Sequence, residues 1–155
     1  MQINVCGYVV HLDDGSEAFV ASHRWRIYES RSTPDHPYVW TIIDGELVAM
    51  HRLIMGNPEG MHIDHRDGNT LNNRRENLRV CTRSQNKANS KIYRNNTSGF
   101  KGVSFVKKQL ARPWIACIYH NRKRLYLGHF ATPAEAHEAY KAAALRIFGE
   151  FARFA

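Results

Sequence analysis

The stretch "MHIDHRDGNTLNNRRENLRVCTRSQNKAN", residues 61–89, decides how the middle of this chain folds. Residues 61–65 can form a strand, the asparagine-rich run after them favours turns, and residues 78–82 alternate in polarity like a second strand. Ser84 is a good helix N-cap, and it predicts a helix that continues through Asn89. The predicted order is therefore strand, loop, strand and helix.

This unit holds residue types that suit phosphodiester hydrolysis, which needs an activated water, charge stabilisation and usually a metal ion. Asp64 is a hard oxygen ligand for a magnesium-like ion. His65 has an ordinary pKa near neutrality, so it could take a proton from water. Asn77 could hydrogen-bond the second imidazole nitrogen and fix its tautomer. Asn86, in the first turn of the predicted helix, offers the metal a second, neutral oxygen.

Residues 50–89, from "MHRLIMGNPEG" onward, resemble the HNH, or ββα-metal, nucleases, in the branch whose last His is replaced by Asn. Asn77 follows His65 by twelve residues, and Asn86 follows nine residues later. The resemblance implies one divalent ion held by Asp64 and Asn86, with His65 as general base and Asn77 as the residue that positions it. Mg²⁺ is the expected ion, with Mn²⁺ or another divalent ion as alternatives. The expected products carry 3′-hydroxyl and 5′-phosphate ends.

Several neighbours are candidates for contacts with the metal or with DNA. His62 could touch metal or phosphate, or be solvated, and His51-Arg52 could bind phosphate or pack. Asn89 is the alternative metal ligand if the helix register differs. Arginine suits bidentate phosphate contacts, and the sequence does not rank the four arginines of this unit. They are Arg66, Arg74, Arg75 and Arg79.

The whole chain has a net charge of +8, and its basic residues concentrate in the second half. Residues 1–50 hold three Lys or Arg against seven Asp or Glu, whereas residues 83–124 hold eleven basic residues and no acidic one. Basic side chains that displace counterions from nucleic-acid phosphates supply binding affinity, and this role explains such a run. Double-stranded DNA is therefore the expected partner. A membrane surface is the rival polyanion, but Gly99, Gly102 and Pro113 interrupt the run, which lacks a long amphipathic helix. No membrane partner is expected.

The last third of the chain predicts a sheet and a helix. Residues 102–106, 114–119 and 124–130 are β-rich segments joined by short connections. Thr132-Pro133-Ala134-Glu135 is a strong helix start, with a capping Thr and Pro at the first helical position. An alanine-rich stripe follows and Gly149 ends the helix, so the helix can lie close against a sheet.

Residues 99–155 resemble the AP2 DNA-binding domain, on Lys101-Gly102-Val103, Trp114-x-Ala116-x-Ile118 and Arg124-Leu125-Tyr126-Leu127-Gly128. The resemblance implies a three-stranded antiparallel sheet in the major groove, with the helix packed behind it. Cys117 and Ser104 stand where the family often has charged residues, which weakens any inference about sequence preference.

The AP2 resemblance assigns side chains to two groups. The strand positions expected to face DNA are Lys101, Ser104, Tyr119, Arg124, Tyr126 and His129. The loop residues expected to meet phosphates are Lys107, Lys108, Arg112, Arg122 and Lys123. Val103, Ile118, Leu125 and Leu127 are expected to face the helix.

The predicted fold class is α+β. Short apolar runs and turns, including the hairpin cue Asp44-Gly45, predict a small antiparallel sheet in the first 50 residues, with a loop over 30–37. The predicted domains are an N-terminal β region at 1–50, a ββα-metal unit at 51–89, a basic linker at 90–99 and an AP2-like domain at 100–155.

The cysteines and the apolar runs limit the classes of protein to which this chain can belong. Cys6, Cys81 and Cys117 form no Cys-x-x-Cys pair, so we expect buried thiols and no structural zinc. No apolar run reaches the roughly 18 residues of a membrane span, and the N-terminus lacks signal-peptide features. A cytoplasmic protein is expected, in the host cell if it is phage-encoded.

The leading hypothesis is a metal-dependent endonuclease that nicks or cuts double-stranded DNA. An HNH unit joined to an AP2-like module is typical of phage and mobile-element nucleases, so homing is one candidate role. A DNA-binding regulator with a vestigial HNH unit is the second hypothesis, although Asp64, His65, Asn77 and Asn86 are all present. A module for structured RNA is the third. The sequence predicts no oligomeric state.

Overall fold

The computed structural model describes residues 1–30, 33–107 and 111–154. Over these residues the fold is α+β, as predicted, with small antiparallel sheets and four α-helices. The chain divides into two compact units, Met1–Cys81 and Thr82–Ala155. This division falls inside the predicted 51–89 unit, and the predicted domain boundaries stay predictions.

The first unit begins with a hairpin and a three-stranded antiparallel sheet. The turn between the last two strands of that sheet is the predicted one, because Asp44 and Gly45 have φ values of 50° and 83°, as a two-residue hairpin turn requires. The elements are β1 (Gln2–Val5), β2 (Tyr8–His11), α1 (Glu17–Ala21), β3 (Arg26–Ser30), β4 (Thr33–Ile43) and β5 (Glu46–Ala49), with sheet orders β1-β2 and β3-β4-β5.

Two sequence predictions for this unit are wrong. Of the loop expected over 30–37, residues 31 and 32 lie outside the described residues and the others are strand, since β3 reaches Ser30 and β4 begins at Thr33. The prolines at positions 34 and 37 do not prevent a strand, because the φ of proline is compatible with extended backbone. Cys6 is exposed, not buried, because it occupies the β1–β2 turn with a φ of 51°.

The first unit ends with the elements that carry the candidate site. A short helix, α2 (Met50–Ile54), follows β5 directly, and β6 (His62–His65) pairs antiparallel with β7 (Leu78–Cys81). The loop between β6 and β7 is fixed to the first hairpin, since His11 N donates to Leu71 O and Asn73 N donates to His11 O. The buried apolar core of the unit comprises Val5, Val10, Leu12, Val39 and Met50.

The second unit begins with the predicted short helix, α3 (Arg83–Asn89). Its N-cap is Thr82 and not Ser84, because the Thr82 hydroxyl accepts from Gln85 N while the Gln85 side chain accepts from Thr82 N. This reciprocal capping box satisfies two backbone donors at once. The predicted cap was therefore two residues late.

The rest of the second unit is a three-stranded antiparallel sheet with a helix packed on it, as predicted. Thr132 caps the helix by accepting from Glu135 N at 3.2 Å, and Gly149 ends it with a φ of 53°. Alanines of the helix lie in the two apolar clusters that join it to the sheet. The elements are β8 (Val103–Phe105), β9 (Trp114–His120), β10 (Lys123–Phe130) and α4 (Pro133–Phe148), in the sheet order β10-β9-β8.

Gly102 lets the start of β8 approach α4 closely. A Cβ at this position would lie 2.1 Å from the Tyr140 ring and 2.8 Å from Cys117 O, and the glycine φ is +74°. Both the space and the backbone conformation therefore require glycine here.

A β-bulge changes the phase of β10. Tyr126 pairs with Cys117, but Gly128 pairs with Ala116, so Leu127 is an extra residue in the strand. Leu127 packs against the core. Beyond the bulge His129 lies on the same sheet face as Tyr126, whereas regular alternation would turn it towards the helix.

Among the residues that the structure describes, every helix is too short or too polar to span a bilayer.

Candidate active site

The β6–β7 hairpin positions the two residues at the centre of the predicted site. Asp64 and His65 end β6, where Asp64 pairs with Arg79 and His65 pairs with Leu78 across the hairpin. Their side chains are almost completely buried, with 5% and 4% of their surface exposed. Burial of two polar residues in succession costs free energy unless both are hydrogen-bonded, so this pair is held by specific contacts.

Arg79 forms a buried ion pair with Asp64. Its Nε donates to Asp64 Oδ2 at 2.8 Å, and a terminal guanidinium nitrogen lies 2.8 Å from the same oxygen. Arg79 was a candidate for phosphate contact, but the structure places its guanidinium on the carboxylate and leaves it 7% exposed. The pair fixes the Asp64 side chain on the strand.

His65 lies in a cluster of rings and amides. Its Nε2 is 3.5 Å from Asn73 Oδ1, and because an amide oxygen can only accept, this contact suits the tautomer with the ring proton on Nε2. The His51 ring packs edge-on against it with centroids 5.1 Å apart, and the Tyr38 ring lies 6.1 Å away. Burial lowers the pKa of His65 below its ordinary value of 6.5. The imidazole is therefore neutral near pH 7.

The neighbouring groups are also kept uncharged. Burial, together with the proximity of His65, lowers the pKa of His51 to about 3. Burial and then the charge of Asp64 raise the pKa of Tyr38. Of the two readings for His51-Arg52, the structure supports packing, since Arg52 donates to Asn57 Oδ1, Met61 O and Pro58 O.

Asn77 holds the loop that follows β6. Its Nδ2 donates to Asp67 Oδ1 at 3.0 Å and to Asn72 O at 2.8 Å, while its Oδ1 accepts from Asp67 N at 3.0 Å. Partial burial disfavours ionisation of Asp67, but hydrogen bonds from Asn72, Asn69 N and Asn77 outweigh it and hold the Asp67 pKa below its ordinary value. The amide predicted to orient His65 is thus used to shape the loop, and Asn73 lies against the imidazole.

The predicted metal ligands lie in separate units. Asp64 is on β6, and Asn86 is half-buried on α3 of the second unit. Within 1–30, 33–107 and 111–154, no three His, Cys, Asp or Glu side chains are grouped as around a metal ion. A carboxylate and an amide need no such group, because Mg²⁺ completes its shell with water and substrate phosphates. Carboxylate and amide oxygens are the kinds of ligand that such an ion accepts.

The remaining arginines of the first unit differ in exposure. Arg66 and Arg75 are exposed, and Arg74 is half-buried. Backbone groups hold their segment, since Arg75 N donates to Asp13 Oδ2 and Arg66 N donates to Asn77 O. These three side chains stay candidates for phosphate contact.

In the second unit, most of the residues predicted to contact DNA lie on the sheet face away from α4 or on exposed connections between strands. The pairs Arg124–Tyr119 and Tyr126–Cys117 lie on the sheet face away from α4, and both tyrosines are 58% exposed. Ser104, Lys107, Arg112, Arg122 and Lys123 are also exposed, and Lys108 lies outside the described residues.

Lys101 differs from this prediction. Its Nζ donates to Ala88 O at 2.5 Å and to Ser90 O at 2.6 Å, at the C-terminal end of α3. A lysine at a helix C-terminus satisfies carbonyls that lack helical partners. The ammonium group therefore joins α3 to the sheet, and its assignment as a DNA contact finds no support in this geometry.

Residues 48–88 match the family model of the HNH endonucleases. We call them the HNH segment, and it includes Asp64, His65, Asn77 and Asn86.

Two viral proteins are similar to this chain. Protein 3.8 of Escherichia phage T7 is 38% identical over 74 residues, which cover 48% of this chain and 53% of that protein. The uncharacterized HNH endonuclease L560 of Acanthamoeba polyphaga mimivirus is 28% identical over 155 residues, covering 89% of this chain and 74% of that protein. The match thus spans about half of the phage protein. No solved structure matches the chain significantly.

Sequence reasoning missed two residues of the site. Asn73 stood in a run that was interpreted only as turn-forming, and Tyr38 lies on β4, far from the HNH segment in sequence. The pairing of residues 72 and 73 with the first hairpin brings Asn73 inward, which no local pattern indicates. Tertiary packing alone joins Tyr38 to His65.

Proposed function

We propose that this chain is an HNH endonuclease that hydrolyses phosphodiester bonds in double-stranded DNA with one divalent ion. The observation that supports this most directly is a buried, neutral His65 beside Asp64, at the end of a strand inside the HNH segment. A structural histidine does not need an adjacent buried carboxylate, whereas a hydrolytic site needs both a base and an oxygen ligand.

His65 is proposed as the general base. With the proton on Nε2, Nδ1 is the nitrogen that can accept a proton from water. Asn73 fixes this tautomer through its Oδ1, and the His51 and Tyr38 rings limit rotation of the imidazole. Asn77 contributes by holding the β6–β7 loop in shape.

Asp64 and Asn86 are proposed as the residues that hold the divalent ion, Mg²⁺ by preference. The chemistry that such an ion supplies is stabilisation of charge on the scissile phosphate and the leaving oxygen. Arg79 holds the Asp64 carboxylate in a fixed orientation for this purpose. The role of Asn86 rests on its place in the HNH segment.

The second unit is proposed to hold the duplex. Its exposed sheet face carries Tyr119, Arg124 and Tyr126, and exposed cations lie on the connections between strands. An AP2-like mode, with the sheet in the major groove, is the arrangement we propose. A role in homing is proposed as well, since the HNH segment and the viral relatives are consistent with a mobile element.

Cleavage of a supercoiled plasmid tests this function. The wild-type chain should convert the plasmid to relaxed or linear product when Mg²⁺ is added and not when EDTA is added. His65→Ala should lower the rate by about 10²- to 10⁴-fold, the usual contribution of a general base, while DNA affinity in EDTA stays the same. Gel analysis of timed samples measures the rate, and end mapping tests for 3′-hydroxyl and 5′-phosphate termini.

His23→Ala is the matched control, because His23 packs on Phe19 and Trp25 in the same unit. It should cleave at the wild-type rate. A His65→Ala chain that also cleaves at this rate contradicts the mechanism. Tight DNA binding without scission in any divalent metal would favour the alternative of a regulator with a vestigial HNH segment.

A further inference from the structure

A groove of about 780 Å³ in the second unit is not used by the proposed catalytic mechanism. It runs between the sheet and the chain of α3 with the segment that follows it, and every residue that lines it belongs to this unit. Its cationic lining residues are Arg83, Lys87, Lys91, Lys101, Arg122 and Arg124.

The charge of the groove is of one sign. Its lining residues, all in the described part of the chain, include no Asp or Glu. Lys101 is committed to two backbone carbonyls, but the other five cationic side chains are exposed. Like charges gathered around one concave surface repel each other, and a phosphate chain would neutralise them.

Two exposed tyrosines add a second kind of contact. Tyr93 follows α3 and is 61% exposed, and Tyr119 on β9 is 58% exposed. The Lys87 ammonium lies 5.9 Å from the centroid of the Tyr119 ring, so one tyrosine already contacts a cation. Tyr93 is the ring that remains for a base, since grooves for single strands combine cations with aromatic platforms.

The size of the groove limits the ligand. Pockets of roughly 300–1,000 Å³ enclose compounds of drug size, so about 780 Å³ takes one or two nucleotides. This volume is far smaller than one turn of a duplex, whose major groove alone is about 12 Å wide. We propose that this groove binds a short single-stranded stretch of the DNA substrate, with phosphates on Lys87 and Lys91 and a base stacked on Tyr93.

This proposal rests on the proposed function only in taking DNA as the partner. Its three proposed contacts, Lys87, Lys91 and Tyr93, lie outside the AP2-like strand positions, although Tyr119 and Arg124 line both the groove and the exposed sheet face. It does not involve His65. Binding can therefore be measured in EDTA, where no cleavage occurs.

The test compares a labelled oligothymidylate of about eight nucleotides with a duplex of the same length, by fluorescence anisotropy. Tyr93→Ala should weaken binding of the single strand about tenfold, because one stacked base contributes roughly 1–3 kcal/mol, and Tyr93→Phe should bind like wild type. Lys91→Ala should lower the slope of log K against log salt by about 0.7, the value for one phosphate contact in a single strand.

Arg146→Ala is the control for charge, because Arg146 is exposed on α4 and does not line the groove. It should leave single-strand affinity unchanged. Wild-type affinity for the single strand in both Tyr93→Ala and Lys91→Ala overturns the proposal. The proposal is also overturned if these variants lose as much affinity for the duplex as for the single strand. It is overturned as well if inorganic phosphate displaces the oligonucleotide when the two supply equal concentrations of phosphate groups.

Failure of the two proposals can be told apart. A wild-type chain that binds the oligothymidylate through Tyr93 but does not cut plasmid in Mg²⁺ removes the nuclease and keeps the groove. Plasmid cleavage that depends on His65, together with Tyr93→Ala binding the single strand like wild type, removes the groove and keeps the nuclease.

Discussion

The His65 imidazole is almost completely buried, and this sets the pH range in which it can accept a proton. Burial lowers its pKa below 6.5, so the neutral form persists to lower pH than in an exposed histidine. Because the base must be neutral, the pH at which the cleavage rate falls to half should lie below 6.5. Single-turnover rates between about pH 4.5 and 8 measure this limb. An acidic midpoint above 6.5 would contradict the assignment.

The ion pair between Arg79 and Asp64 predicts an effect on stability. Removing one member of a buried pair leaves an uncompensated charge, so Arg79→Ala should lower the free energy of unfolding by about 3–5 kcal/mol. Arg75→Ala is the matched control, since Arg75 is exposed, and it should change the value by less than about 0.5 kcal/mol. Urea denaturation at neutral pH measures both. Equal stability of the two variants would show that the pair contributes nothing.

At the scale of single residues, the sequence did not predict the hydrogen-bond partners of the candidate site residues. Asp64 and His65 were predicted as site residues from residue type and spacing, and the structure buries both at the end of β6. Asn77 was assigned to the imidazole, but its three hydrogen bonds go to Asp67 and Asn72. Amide partners depend on how a loop closes, which residue spacing does not determine.

At the scale of elements, Gly102 predicts how closely α4 must approach the sheet. Gly102→Ala forces a Cβ to within 2.1 Å of the Tyr140 ring, in a backbone conformation that alanine disfavours. Gly99→Ala has a similar φ of +73° but no atom within 4 Å, so it measures the conformational cost alone. We expect about 1 kcal/mol of destabilisation for Gly99→Ala and at least about 2 kcal/mol more for Gly102→Ala. Thermal denaturation of the two variants gives the difference, and equal losses would show that α4 moves away freely.

Elements were predictable where a cap or a turn marks them. Thr132 and Gly149 bound α4 as expected, and Asp44-Gly45 makes the β4–β5 turn. Helix α1 was missed because five residues carry too little periodicity to distinguish a helix from a strand. Ser84 looked like a cap, but the pairing of Thr82 with Gln85 begins α3 earlier.

At the scale of the whole molecule, the charge of the second unit predicts salt-sensitive binding. Residues 83–124 hold eleven basic and no acidic residues. If about half of these cations meet phosphates of duplex DNA, log K should fall against log salt with a slope of about −5. Affinity would then drop about 10³-fold between about 50 and 200 mM salt. A titration series in EDTA measures the slope, and a slope near zero would exclude a phosphate-dominated interface.

The extra residue in β10 has a consequence for comparing this strand with others. Up to Tyr126, the even-numbered residues of β10 lie on the sheet face away from α4 and the odd-numbered residues on the face towards it. From Gly128 onward, the even-numbered and odd-numbered residues exchange faces. A role transferred position by position from a regular strand would therefore be correct for Arg124 and offset by one at His129. Deletion of Leu127 would remove the bulge and restore regular alternation without moving His129 or Phe130 to the other face, because Gly128, His129 and Phe130 would keep their partners Ala116, Ile115 and Trp114.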